Sequence, residues 1–509
     1  HFKTREVQGK REIFYKILAF GVTGMYLKTE RQLPLENFYL PFGGQLDPEN
    51  RWVKLSKLIP WDVIEDKYAA LFAKNNTGAP AKPVRMALGA LLIKEKGGFS
   101  DEEVVEQIKE NPYLQYFIGL PEFQKEAPFD PSMMVHFRKR LNAQIMKEIN
   151  EIICLGQEVK KHESDNDNHD EDNSEGDLKE NKNKGRLIID ATCAPADIRY
   201  PTDLSLLNEA REKLERMIDD LYAPLKGKMP KPRTYRRNAR KDYLSEAKVR
   251  KHRKKSLRRA IGKQLRYIAR DLRIIERLSN ENGCGQLSPR QQREYQIIQE
   301  LYQQQKLMYE TRTHRIDNRI VSISQPYVRP IVRGKAAAET EFGAKIMVSL
   351  IDGFAFVDEI SWNNFNEGTK LKEAIETFRW RTGHYPRVVH ADAIFRTRAN
   401  LEYCKQRGIR LSGPRLGRPK IKQLKAQKRL ERMDSRIRNA IEGRFGVGKR
   451  RYGLGRIMAR LQVTSETVIH LQFLVMNLER KLRLLFTHFW RSPFRLSKFF
   501  FSVPACVFQ

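Results

Sequence analysis

The chain has 509 residues, of which 40% are hydrophobic and 31% charged, so it is long enough for two or three domains and apolar enough to bury a core. Lysine and arginine number 95 against 62 acidic residues, which gives a formal net charge of +33. This positive field attracts polyanions, and it favours nucleic acid as a partner over an acidic membrane surface. The five cysteines are scattered and never spaced C-x-x-C, which argues against a disulfide framework or a zinc site and indicates a reducing cytosol.

The N-terminal segment matches a targeting sequence only in part. Residues 17–27 are mostly apolar and follow four basic residues, as in a signal peptide, but no small-x-small cleavage site comes after them. We therefore treat residues 1–36 as a leader of uncertain status and expect Met25 to be the start of the native protein. No stretch of about eighteen uncharged apolar residues is present, so we expect no membrane partner.

Residues 37–158 are expected to form an all-α N-terminal domain. Helical patterns begin at four places: Asp62, Val84, Ser100 with its capping partner Glu103, and Asp130 before a proline. Short helices of this kind in a strongly basic chain favour DNA binding by the domain. A plain helical bundle without a recognition role is the alternative.

Two segments of opposite charge follow. Residues 159–185 are rich in acidic residues and asparagine, and they are predicted to be a disordered linker. From Lys226 to Arg277, lysine and arginine outnumber acidic residues by 21 to four. Apolar residues recur there at three- and four-residue steps between Leu257 and Ile275, which predicts an amphipathic helix whose charged faces contact the DNA backbone. The alternative is a helix that is only solvated.

Residues 186–486 show the pattern of a mixed α/β domain. The segments Arg186–Thr192 (RLIIDAT) and Arg387–Asp392 (RVVHAD) each place β-branched residues before an aspartate, as in buried strands. Asp352-Gly353 lies between two apolar runs and predicts a hairpin. With helical patterns between these strands, the order predicts an α/β domain into which a basic helical region, about residues 204–315, is inserted after the first strand.

Three carboxylates of this domain are candidates for chemistry. Asp190 and Asp392 each lie at a predicted strand end, and Glu442 lies on a helical stretch. Carboxylate oxygens are hard ligands, which suit Mg²⁺ or Mn²⁺ better than thiolate or imidazole does. The alternative for Asp190 is that it only caps the turn after its strand. The recurrence of the pattern at Asp392 favours the metal site.

Arg438, Glu442 and Lys449 are spaced to share one helix face, which would place a metal ligand between two cations able to hold phosphates. Three glycines between Glu442 and Lys449 weaken a helix by about 1 kcal/mol each, and they favour a helix end before Lys449. The same stretch, GRFGVGK, matches G-x-x-x-x-G-K. A phosphate-binding loop is rejected, because Arg450 stands where Ser or Thr is required and no strand precedes the motif.

These motifs together resemble the DDE transposases of bacterial insertion sequences, whose catalytic domain is ribonuclease H-like. The resemblance covers about residues 38–486. It is carried by FGGQLDPENRWVKLSKLIPW at 42–61, the helical N-terminal domain, LIIDAT with YPTD at 200–203, VRGKAAAETEFGAKI at 332–346, VVHAD at 388–392, and R-x3-E-x6-K at Arg438, Glu442 and Lys449. One departure is Ser435, which occupies the position where the fuller family motif has tyrosine.

The resemblance implies a ribonuclease H-like fold and a catalytic triad of Asp190, Asp392 and Glu442 that holds Mg²⁺ or Mn²⁺, as two ions. It implies two-metal phosphoryl transfer, in which water first cuts the strand at each element end and the freed 3′-OH then attacks target DNA. The implied partners are double-stranded DNA of the element ends and target, and further copies of the chain, in the bacterial cytoplasm at the nucleoid. Expected DNA contacts are Arg438, Lys449, Arg450, Arg451, Arg258 and Arg259.

Two other functions remain open from the sequence alone. A ribonuclease H-like nuclease or resolvase would use the same triad for hydrolysis alone, and a basic DNA-binding protein would carry an inactive triad. The helical N-terminal domain and the basic insertion favour the transposase, because a simple nuclease has less need of end recognition. Residues 487–509 are treated as a C-terminal tail of uncertain status.

Overall fold

The computed structural model describes residues 38–40, 44–72, 80–156, 183–281, 285–335, 338–414 and 424–491. The expectations for the leader, for Met25, for most of the acidic linker and for most of the C-terminal tail lie outside these residues. Within the described part of the chain, no helix is both long and apolar enough to cross a membrane.

Helices make up the N-terminal part of the structure. In chain order they are α1 (Arg51–Leu58), α2 (Trp61–Ala69), α3 (Val84–Gly97), α4 (Asp101–Glu110), α5 (Pro112–Phe117), α6 (Met133–Arg140) and α7 (Ala143–Leu155). The predicted cap of α4 is confirmed, since the Ser100 side chain accepts the backbone N–H of Glu103 at 3.0 Å. The helix expected from Asp130 begins later, at Met133, because the Asp130 carboxylate accepts the N–H of Ser132 within a preceding turn.

A mixed sheet forms the centre of the rest of the molecule. Its strands are β1 (Arg186–Pro195), β2 (Arg329–Lys335), β3 (Ala338–Ile351), β4 (Phe354–Ser361), β5 (Val388–His390) and β6 (Arg410–Leu411). The order is β2-β3-β1-β5-β6, with β4 also paired to β3. β1 is antiparallel to β3 and parallel to β5, which in turn is parallel to β6. The predicted mixed α/β class is confirmed.

The predicted hairpin joins β3 and β4. Ile351 pairs with Phe354, so Asp352 and Gly353 alone form the connection. Both have positive φ, 50° and 82°, as a two-residue turn of type I′ requires.

A helical layer lies between β1 and β2 in the chain. It consists of α8 (Asp203–Tyr222), α9 (Arg236–Ala247), α10 (Lys254–Ser279) and α11 (Pro289–Thr311). The periodicity that predicted an amphipathic helix is confirmed in α10, where Leu265, Ile268 and Ile275 are buried. These side chains belong to a hydrophobic cluster with residues of α8 and α11, separate from the clusters on the sheet.

Helices cover both faces of the sheet. They are α12 (Leu371–Thr382), α13 (Arg398–Gln406), α14 (Leu424–Arg451) and α15 (Gln462–Arg491). Leu187 and Ile189 of β1 point into a cluster with α12 and α13. Ile188 points to the opposite face, into a cluster with α14 and α15. That second cluster also contains residues of α2 to α7, so the N-terminal helices and the sheet share one continuous core.

A buried amide joins three of these elements. Asn477 of α15, 1% exposed, accepts the N–H of Ala355 in β4 at 2.9 Å and donates to the carbonyl of the same residue at 2.7 Å. It also donates to the side chain of Asn150 in α7 at 2.9 Å. Helices α7 and α15 are thereby fixed to the hairpin.

An ion-pair network lies beside this amide. The Arg381 side chain of α12 is fully buried and contacts Glu151 of α7 at 3.0 Å and Asp358 of β4 at 2.6 Å. Both carboxylates are largely buried, so without this guanidinium they would lose their counter-charge. The network therefore fixes α12 and α7 to the sheet.

We expect Arg381→Met to lower the free energy of unfolding by about 3–5 kcal/mol, since it leaves two buried carboxylates unpaired. Arg379→Met, on the exposed face of the same helix, is the matched control and should change the free energy of unfolding by less than about 1 kcal/mol. Urea denaturation followed by circular dichroism measures both values. Equal stability of the two variants would contradict the role given to the network.

A second buried charge lies in the helical layer. The Asp271 side chain is fully buried, and its carboxylate accepts from Arg270 at 2.8 Å through one oxygen only. Burial raises the pKa of Asp271 to about 7, although Arg270 opposes the shift. The folded protein therefore keeps a proton that the unfolded chain releases near pH 4.

Stability should consequently fall as pH rises from 4 to 7, because the unfolded state loses its proton first. At about 1.4 kcal/mol per pKa unit, the contribution of Asp271 is at most about 4 kcal/mol. Asp271→Asn should flatten this part of the profile of melting temperature against pH. Glu276→Gln, exposed on the same helix, should leave the profile unchanged, and a profile that Asp271→Asn does not alter would refute the assignment.

Candidate active site

Asp190 lies within a strand and not at its end. The sequence expectation of a strand end is wrong, because β1 runs on to Pro195 through pairing with β3. The parallel pairing with β5 extends only as far as Ile188 and His390. Asp190 thus stands just beyond the point where β5 leaves β1, with its side chain 15% exposed on the face that α14 covers. The interpretation of Asp190 as a simple turn cap fails, since its Oδ1 accepts only from the N–H of the next strand residue, Ala191.

Asp392 follows the end of β5. Its side chain accepts the N–H of Ala393 at 2.8 Å and caps the short 3₁₀ turn Ala393–Phe395. The pairing of β1 with β5 ends at Ile188 and His390, two residues before each aspartate. The negative charge of Asp392 contributes to the raised pKa of Asp190, so the two carboxylates lie within electrostatic range of each other.

Glu442 is carried by α14, which packs firmly on the sheet. Ile437, Ile441 and Phe445, spaced by four residues, belong to the core on that side. Asp434 at the start of this stretch accepts two hydrogen bonds from Arg410 of β6, both at 2.8 Å. The helix is therefore held to the strand that neighbours β5, and its other face, which bears Glu442, is left open.

The expected helix end before Lys449 is wrong. α14 continues to Arg451, so Arg438, Glu442 and Lys449 share one uninterrupted helix. Tertiary packing overrides the low helix propensity of glycine here. A Cβ at position 448 would lie 3.1 Å from Leu454 and 3.3 Å from Met476, which shows how closely the helix approaches its neighbours.

Arg438 joins two of the candidate residues. Its Nη1 lies 3.2 Å from the Glu442 carboxylate and 3.7 Å from that of Asp190. One guanidinium thus reaches from the helix to the strand and balances both negative charges. The Glu442 side chain is half exposed, whereas that of Asp190 is largely buried.

A fourth carboxylate, that of Glu367, affects the pKa of Asp190. The pKa of Asp190 is raised to about 6, mainly by burial and also by the negative charges of Glu367 and Asp392, against the N–H of Ala191 and the charge of Arg438. Glu367 was not predicted as a site residue. In the sequence it is a single acid between asparagine and glycine, and its nearness to Asp190 depends on tertiary structure.

The three predicted carboxylates can be assessed as ligands of a divalent cation. A bound cation relieves the raised pKa of Asp190 and its repulsion from Asp392, and the carboxylate oxygens of Asp190, Asp392 and Glu442 are hard donors of the type that Mg²⁺ or Mn²⁺ prefers. Among the described residues, however, no three His, Cys, Asp or Glu side chains already form a coordination cluster. Arg438 stands between Asp190 and Glu442 in this structure.

The cations predicted to contact DNA occupy different environments. Lys449 lies 3.9 Å from Glu341, while Arg450 and Arg451 are exposed at the end of α14. Arg259 is exposed on α10, but Arg258 stacks on the ring of Tyr309 at 4.2 Å. Ser435 is exposed on α14.

Comparison with known proteins gives two family matches. Residues 389–479 match a Transposase DDE domain, a segment that contains Asp392, Glu442 and Lys449. Residues 41–140 match a Transposase domain (DUF772), which covers α1 to α6. Asp190 and the helical layer lie outside both segments.

The chain also has a curated relative. The chain is 32% identical over 174 residues to "Uncharacterized protein ORF8 in nfe locus" of Rhizobium meliloti, which covers 34% of this chain and 74% of the relative. No solved structure matches significantly. The chain belongs to the insertion-sequence DDE transposases.

Proposed function

We propose that this transposase binds the ends of its mobile element as double-stranded DNA, cuts one strand at each end and joins the freed ends to target DNA. What supports the proposal is that Asp190 lies on a central strand, Asp392 follows a neighbouring strand and the helix that bears Glu442 packs on the same sheet, in a chain with two transposase domain matches. The catalytic domain is taken to be ribonuclease H-like. A central strand antiparallel to one neighbour and parallel to the other supports this fold.

Asp190, Asp392 and Glu442 would hold the divalent cations, and Arg438 would move from Glu442 toward a DNA phosphate as they bind. A pair of Mg²⁺ or Mn²⁺ ions in that position would activate the attacking oxygen and stabilise the leaving oxygen. In the first step a water oxygen bonds to phosphorus, the bond to the 3′ oxygen breaks, and a 3′-OH is released. In the second step that hydroxyl attacks a target phosphodiester in the same way.

DNA binding is proposed for the basic helices and for the end of α14. Arg236 of the helical layer is already neutralised, because it pairs with Asp219. Other arginines of the layer are exposed and in no ion pair with a described residue, among them Arg237, Arg240 and Arg259. These charges, with Arg450 and Arg451, are available to phosphates, and Lys449 joins them on release from Glu341. The N-terminal helices would recognise the element ends, and further copies of the chain would assemble on the DNA.

Asp190→Asn and Glu442→Gln should each reduce strand cleavage by at least about 100-fold, because even residues that only support a metal ligand contribute 10–100-fold. Affinity for element-end DNA should change less than about twofold, because most of the positive surface lies elsewhere. Gel assays of cleavage, joining and binding measure all three. Ca²⁺ in place of Mg²⁺ should permit binding without cleavage, since it takes more ligands at longer distances.

Glu373→Gln, on an exposed part of α12, is the control and should cut normally. Cleavage by Asp190→Asn at the wild-type rate would refute the carboxylate assignment. Cleavage by the wild-type protein with no strand joining would instead favour a nuclease or resolvase.

The salt dependence of DNA affinity tests the exposed arginines. Replacing Arg237, Arg240 and Arg259 by glutamine should lower the slope of log affinity against log salt by up to about 0.9 for each phosphate that these arginines neutralise in the wild-type complex. Arg236→Gln, next to Arg237 but paired with Asp219, is the matched control and should leave the slope nearly unchanged. Fluorescence anisotropy at several salt concentrations gives the slopes. An unchanged slope in the triple variant would mean that these three arginines neutralise no phosphate.

A further inference from the structure

The turn that carries Glu367 is fixed to the turn that follows Asp392. Asn400 at the start of α13 is 3% exposed, and its side-chain amide donates to the carbonyl of Gly368 at 2.7 Å and to that of Phe395 at 2.8 Å. One buried amide therefore binds the backbones of both turns. Glu367 and Asp392 cannot separate without breaking these hydrogen bonds.

Glycine at position 368 is required by the same contact. A Cβ there would lie 2.6 Å from the backbone carbonyl oxygen of Ile394, a distance that no side chain could occupy. The residue after Glu367 thus touches the backbone two residues after Asp392. This approach holds the turn of Glu367 against the turn of Asp392, and the charges of both residues act on Asp190.

The Glu367 carboxylate has a counter-charge. It lies 3.0 Å from Nζ of Lys345, a residue of β3. Lys345 also donates to the side chain of Asn364 at 3.2 Å and to the carbonyl of Phe365 at 2.7 Å. Because these two oxygens belong to the loop before the turn, Lys345 would remain in place if Glu367 turned toward another cation.

We propose that Glu367 is a fourth carboxylate of the catalytic centre and takes part in binding the divalent cation there, with Lys345 as its counter-charge when no cation is bound. The inference rests on the proposed function, because it assumes a metal site at Asp190 and Asp392. Its physical basis is the shared position of the two turns. Glu442 is half exposed and paired with Arg438, so a further carboxylate near Asp190 and Asp392 would supply oxygen donors that a hard cation needs.

This role can be tested by isothermal titration calorimetry, in which the full chain is titrated with Mn²⁺ in the absence of DNA. Glu367→Gln should weaken Mn²⁺ affinity by about 10-fold or more, as loss of groups around a metal site does. Lys345→Met removes the same ion pair but keeps the carboxylate, and it should bind Mn²⁺ at least as tightly as the wild-type protein. Glu373→Gln should bind as the wild-type protein does. Glu367→Asp retains the charge with a shorter reach and should lie between Glu367→Gln and the wild-type protein.

Two outcomes would overturn the inference. If Glu367→Gln and Lys345→Met lower the melting temperature alike and neither changes Mn²⁺ affinity, the pair is a structural ion pair only. If Asp190→Asn weakens Mn²⁺ binding and Glu367→Gln does not, the metal centre stands without Glu367. Unchanged binding in Asp190→Asn would instead remove the metal centre of the proposed function. If Glu367→Gln does not fold, the Mn²⁺ affinities of Glu367→Asp and Lys345→Met are compared instead. Weaker binding by Glu367→Asp alone supports a role in cation binding, and unchanged binding by both variants indicates a structural ion pair.

Discussion

The hydrogen bonds of Asn477 are the constraint on which the rest of the structure depends. A primary amide buried in an apolar core destabilises the fold by about 1–3 kcal/mol if its donors and acceptor lack partners. The Asn477 amide has hydrogen-bond partners for its donors and its acceptor only when α15, α7 and the β3–β4 hairpin adopt one relative position, because these partners are Asn150 and both backbone groups of Ala355. The apolar contacts around Asn477 supply most of the stabilisation, but they would allow the two helices and the hairpin to slide past one another. The amide bonds select one arrangement among many that bury similar area.

The candidate site depends on this arrangement, because Asp190, Asp392 and Glu442 belong to three different elements of the fold. Asp190 is set by the register of β1 with β3, and the turn of Asp392 is held by Asn400. The helix of Glu442 is fixed at its other end by the bidentate pair of Asp434 with Arg410. These elements are held in place by bonds that do not involve the carboxylates of the candidate site. Within the site, the Arg438 guanidinium is the attraction that acts on Asp190 and Glu442.

Local patterns allowed much of the fold to be predicted. The Asp352-Gly353 turn and the apolar period of α10 depend on residues near one another in sequence, and both are confirmed. The extent of β1 beyond Asp190 could not be predicted, because pairing with a strand about 150 residues later decides it. Glu367 and the 30-residue helix α15 were missed for the same reason. The nearness of Glu367 to Asp190 and the role of α15 in joining the N-terminal helices to the sheet both arise from long-range contacts.

The distribution of charge affects both parts of the proposed function, the binding of DNA and the reaction at the carboxylates. A net charge of +33 attracts polyanions from all directions, yet the carboxylates of Asp190 and Asp392 repel a phosphate. Arg438 partly offsets this repulsion, because it lies against Asp190 and Glu442. A phosphate that entered without a cation would have to compete with two carboxylates for this guanidinium. In the proposed function, binding of DNA to the basic helices and entry of a phosphate into the site would therefore be separate events, and the second would require more positive charge at the carboxylates than Arg438 alone supplies.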